Sequence, residues 1–128
     1  MIQRVKVDEI LNYIEDVINV SLMPTFAVPE GEERNAARAK LISEDGGFTV
    51  MFKRLTSIIK ANGSGYLVGP ILTIADLKVV GSIILGIADG HVDGLPKTLF
   101  QDSYPELNEL LRRVNEHPKI AAKRAAHD

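Results

Sequence analysis

The sequence contains no cysteine, which excludes disulfides, thiol nucleophiles and zinc–thiolate centres from its 128 residues. Tryptophan is absent too, and aromatic residues make up 5%. Neither charge dominates. Fifteen basic residues against 17 acidic ones leave a formal charge of -2, which offers no footprint for nucleic acid or an anionic membrane surface. No long hydrophobic run is present. The most apolar stretch, Val79 to Ala88, is interrupted by two glycines and a serine and falls far short of the ~20 residues a membrane helix needs. The first residues mix Gln3, Arg4 and Lys6 with apolar ones and lack the core of a signal peptide. These absences point to a soluble, cytoplasmic protein with no nucleic-acid or membrane partner, and the missing cysteines fit a reducing compartment.

The composition that remains is that of one globular domain over residues 1–128. Apolar residues at 45% and charged residues at 25% are enough to bury a core. Val7, Ile10, Leu11, Ile14, Val17, Ile18 and Leu22 recur at spacings of three and four. That predicts a first helix from about Val5 to Phe26, bent or ended by Pro24. A loop at Val28-Pro29-Glu30-Gly31 precedes a second helix from Glu32 to Ala61, with acidic residues at its positive end. Gly46-Gly47 interrupts it, and two adjacent glycines cost roughly 2 kcal/mol in a helix interior, so two helical pieces are expected. Asn62-Gly63-Ser64-Gly65 ends the second piece.

Tyr66 to Leu72 reads as an extended connector into Thr73-Ile74-Ala75-Asp76. There Thr73 is the N-cap, Asp76 reaches back to the Thr73 amide, and Leu72 with Leu77 clamps as a hydrophobic staple. The following helix, to about Ala88, is apolar nearly all round and predicts a central, buried element. Its Gly81 and Gly86 predict close helix contact. Residues 89–102 read as loop. Ser103-Tyr104-Pro105-Glu106 is a second capping-box pattern, opening a helix that ends near Glu116. Pro118 restarts a short helix over Lys119 to Ala126. No strand alternation or internal repeat is present, so the fold is all-α, a bundle of five or six helices.

The residues by themselves name no reaction. His91, His117 and His127 never share a helical face, so no metal site is expected. Gly63-Ser64-Gly65 lacks the Lys-Ser/Thr of a phosphate loop, and no nucleophile elbow is present.

Three segments in order carry a resemblance: Gly65-Tyr66-Leu67-Val68-Gly69, then Leu72-Thr73-Ile74-Ala75-Asp76-Leu77, then Tyr104-Pro105-Glu106-Leu107 with Arg113-Val114 and Pro118-Lys119-Ile120. Together they resemble the helical C-terminal domain of glutathione S-transferases. The first helix, with Val7-Asp8-Glu9-Ile10-Leu11-Asn12, is similar to the sigma class and the related pi and mu forms. The resemblance covers essentially the whole chain. It implies that the thioredoxin-like half, with the thiolate-activating residue and most of the glutathione site, is not in this chain, so no catalytic residue is carried over. It also implies no resident cofactor, with glutathione as co-substrate, and a homodimer as the assembly.

The resemblance further implies an electrophile pocket on the first helix around Tyr13, Val17, Val20 and Leu22. The alternative is that these residues are core. The family's acidic pair maps onto Asp8 and Asn12, where Asn12 stands at the position that reaches glutathione across the dimer. Asn keeps the acceptor and loses the charge, and a solvated helix face is the other reading. Asp76 reads as a structural cap with Thr73 rather than as a lone functional acid. Gly46-Gly47 departs from the uninterrupted helix of the family. Two functions follow. One is the electrophile-binding half of a glutathione transferase, completed by a thioredoxin-like half or a second protein. The other is a non-catalytic protein–protein interaction module of the same fold.

Overall fold

The computed structural model describes residues 2–117. Among them there is no strand, and they form six helices. Helix α1 spans Ile2–Val17 and continues through a π turn, Ile18–Leu22, into a 3-10 turn, Met23–Ala27. Helices α2 (Glu32–Leu41) and α3 (Gly47–Asn62) follow. Helix α4 runs continuously through Ile74–Val79, a π turn at Val80–Ile84, and Leu85–Ala88. Helices α5 (Leu99–Ser103) and α6 (Pro105–Glu116) complete the bundle. The short helix expected over Lys119 to Ala126 lies outside the described residues.

Helix α1 departs from α geometry before its proline. The Met23 amide bonds to the Ile18 carbonyl, five residues back, and Pro24 then sits in the 3-10 turn. A proline cannot donate to the preceding turn, so the chain leaves α winding upstream of it.

The break at Gly46-Gly47 has a steric origin. A Cβ at Gly46 would stand 2.2 Å from the Leu41 carbonyl oxygen and 2.3 Å from that of Lys40. Only glycine lets α3 start against the end of α2. A Cβ at Gly47 would stand 2.5 Å from the Ser21 hydroxyl, so the second glycine admits the end of the α1 run. Gly63, at φ 77°, closes α3 in the left-handed region.

The core is continuous. Ile10 and Ile14 of α1, Phe48, Met51, Phe52 and Leu55 of α3, Val80, Ile83 and Ile84 of α4, Phe100, and Leu107 and Leu110 of α6 are all buried in one cluster. Phe52 sits at its aromatic centre, with ring centroids 5.6 Å from Phe48, 5.0 Å from Phe100 and 5.3 Å from Tyr104. The tilted and edge-on pairings are those ring quadrupoles prefer.

Four expectations are corrected. Helix α4 is not buried all round, because Ile74 is 60% and Leu77 37% exposed. Its glycines make no close helix contact: Gly81 faces open space, and a Cβ at Gly86 would meet only the Val92 side chain at 3.7 Å. Tyr66 to Leu72 is a series of bends rather than an extended run, turned by Gly65 and Gly69 at positive φ. Lastly, Ser103 is not a cap. It ends α5, a helix within the expected loop. Tyr104 joins α5 to α6 without a side-chain capping bond, and Pro105 fills the first turn of α6.

Candidate functional site

Helices α1 and α3 lie side by side, and the surface between them is a groove. Tyr13, Asp16, Val17 and Val20 line it from α1 and its π turn. Gly47, Val50 and Arg54 line it from α3, with Ser21 at one end, around a volume of about 440 Å³. The size suits a small ligand. The spacing on α1 is three and four residues, so those side chains share one face. The groove continues past Glu9, Ile10 and Ile58 through a narrower section of about 170 Å³. It then reaches a third section of about 380 Å³ that Lys6, Asn62, Leu67 and Val68 also line.

The structure brings Tyr13, Val17 and Val20 together in this groove. Val20 is 77% exposed and Val50 54%. Both are apolar side chains with no cover, whereas Val17 and Tyr13 are half-buried against the core. Leu22 is buried in the core and does not line the groove. Asp8 and Asn12 are exposed on α1, on the solvated face that α1 turns away from the bundle.

Two features of the groove have no counterpart in the sequence reading. Val50 stands apart from the buried stripe of α3, so its place in the sequence looks incidental. Arg54 lies with its guanidinium carbon 5.0 Å from the Tyr13 ring centroid, a cation–π contact. The clue in the sequence is the spacing of Gly47, Val50 and Arg54, three and four residues apart on a single face.

Asp76 is wholly buried at the start of α4. Its carboxylate accepts the Thr73 amide at 2.9 Å and the Leu67 amide at 2.9 Å. Thr73 and Asp76 thus form a capping box, and Asp76 also pins the connector to the helix. Burial pushes the carboxyl above its ordinary value, against the amide bonds that pull it down.

A second buried polar group has no announcement in the sequence. Arg38 of α2 is fully buried. Its Nε donates to the Thr25 hydroxyl at 3.1 Å, and its Nη1 donates to the Asp93 carbonyl at 2.7 Å and to the Asp93 carboxylate. Arg34 adds a 3.6 Å ion pair to the same carboxylate, and Phe26 lies under the Arg38 guanidinium at 4.5 Å. Desolvation raises the Asp93 carboxyl, and the Arg38 hydrogen bond and charge reverse this, so it titrates below its ordinary value. The cluster ties α2 to the turn after α4. Arg34, Arg38 and Leu41 sit at helical spacing, the one trace of this face in a helix that otherwise reads as polar.

Among the described residues, no group of three His, Asp or Glu is placed to hold a metal ion. No helix among them is long and apolar enough to cross a membrane. A family model described as Glutathione S-transferase, C-terminal domain, matches residues 15–125. No curated protein and no solved structure gives a significant match.

Proposed function

We propose a function on one premise: the chain belongs to the glutathione S-transferase C-terminal domain family. On that premise the domain serves as the electrophile-binding half of a glutathione transferase. The observation that carries this reading is the α1–α3 groove, where Tyr13, Val17, Val20 and Val50 offer apolar contact around about 440 Å³. In the reaction the glutathione thiolate attacks an electrophilic carbon. A C–S bond forms, and the leaving group departs with the bonding electron pair. The thiolate comes from a thioredoxin-like half, in the same polypeptide or in a partner. The residues of this chain bind the apolar body of the electrophile, orient it and exclude water from it. A homodimer in the cytoplasm and a sigma-like class complete the proposal. Within that dimer Asn12, beside Asp8, is the residue offered to glutathione of the other subunit.

The alternative is a non-catalytic interaction module. It draws support from Ile71, Ile74 and Leu77, exposed apolar side chains around the start of α4. In the transferase reading that patch packs on the thioredoxin-like half. One experiment separates the two. The native polypeptide is captured with an antibody to this domain, sized, and assayed for conjugation of glutathione to an aromatic electrophile. A conjugating species heavier than the 14.0 kDa of this chain is expected. A lone 14.0 kDa species without conjugating activity sinks the transferase reading and leaves the interaction module.

A further inference from the structure

We infer that the α1–α3 groove takes an apolar molecule carrying a single carboxylate, with the charged end held by Arg54. The inference rests on the reading of this groove as the electrophile site and names the substrate class. Two contacts fix how the helices run past each other. Arg54 lies over Tyr13 at 5.0 Å, and Gly47 lies against Ser21. The helices are therefore antiparallel, with Val50 and Val17 between those ends. The seven steps from Gly47 to Arg54 rise about 10 Å. This section of the groove is thus a strip about 10 Å long with a cation at one end and the exposed Val20 and Val50 along it.

The guanidinium has no ion pair among the described residues. The Tyr13 ring holds one face of it, and its N–H edge, without a partner among the described residues, is the edge that donates to a carboxylate in a two-point fork. Asp16 lines the strip and Glu9 the narrower section beyond Tyr13, and neither pairs with Arg54. Their charge weakens the attraction and disfavours a second anionic group further along the strip. One carboxylate at the Arg54 end and an uncharged apolar body is the ligand that meets these conditions.

The test titrates the full chain with decanoate, decanol and decylamine by calorimetry, following the methyl signals of Val17, Val20 and Val50 by NMR. Decanoate should bind about fivefold tighter than decanol, the scale of an exposed charge pair, and decylamine weakest. Arg54→Gln should bring decanoate down to decanol, and 1 M salt should narrow the gap. Arg54→Lys should keep part of the preference. If decanoate and decanol shift the valine methyls with equal affinity, or if Arg54→Gln leaves the preference intact, the carboxylate assignment is wrong while the groove stands. If neither ligand moves those methyls, the groove reading falls and this inference with it.

Discussion

At the scale of single residues, two buried polar side chains hold segments together that apolar packing alone would leave loose. Asp76 accepts amides from Thr73 and Leu67, so replacing it strands two backbone donors. Asp76→Ala should cost about 2–4 kcal/mol, measured by urea unfolding. The pH dependence has a definite sign. Burial raises the folded-state carboxyl above 3.8, so the folded chain binds the proton more tightly than the unfolded one. The associated stability is full below 3.8 and is lost as pH rises through the raised value. Glu109 works in the opposite direction. The Arg112 hydrogen bond holds it down at about 2, and its contribution is lost as pH falls from 4.5 toward that value. Asp76→Asn, whose single oxygen can accept only one of the two amides, should lower stability and also remove the component that declines with rising pH. A stability curve for Asp76→Asn that keeps this decline would contradict the buried Asp76 carboxyl as its origin. Arg38→Met, which removes three hydrogen bonds on Thr25 and Asp93, should destabilise by about 1–3 kcal/mol.

At the scale of elements, the glycines divide by what surrounds them, and substitution should show it. Gly46→Ala places a methyl within 2.4 Å of three backbone atoms at the end of α2. Gly46 is the N-cap of α3 in extended backbone, where alanine has no propensity advantage, and backbone cannot yield as a side chain does. A lowered melting temperature and loss of several kcal/mol are expected. Gly81 has no atom within 4 Å of an added Cβ, so Gly81→Ala should stabilise by about 0.5–1 kcal/mol. The sequence showed that a break falls at Gly46-Gly47, because two helix-breaking residues in a periodic run are visible locally. It did not show why, since the cause is the meeting of the α2 end with α3, and of Ser21 with Gly47. The same limit explains α4. Its composition reads as apolar on all sides, yet burial depends on which neighbours exist, and among the described residues none fully covers Ile74 or Leu77. Helix α5 was hidden for a related reason. Five residues carry too little periodicity to stand out, and only Leu99 and Phe100, buried against the bundle, hold it.

At the scale of the whole molecule, the all-helical bundle was legible from periodicity and from the Thr73–Asp76 box, because long apolar stripes and capping chemistry are local signals. The groove was legible by half. Tyr13, Val17 and Val20 follow one helical face of α1, but the facing wall of Val50 and Arg54 depends on how α3 lies against it. The Arg38 cluster was not legible at all, since its partners are 13 and 55 residues away. Ile71, Ile74 and Leu77 are exposed apolar side chains close together in sequence around the start of α4, the kind of patch that marks a docking face. The chain should therefore enhance the fluorescence of a hydrophobic dye, and Ile74→Ser with Leu77→Ser should lower that signal. Unchanged dye binding in the double variant would remove the α4 patch as a docking face.

The most direct measurement is kinetic. In the conjugating native species, Val50→Arg places a charge in the middle of the α1–α3 groove without touching the glutathione-binding half. The KM for an apolar electrophile should rise about tenfold, the equivalent of one valine contact, with the KM for glutathione unmoved. An electrophile KM that stays at its original value would contradict the assignment of the groove as the electrophile site.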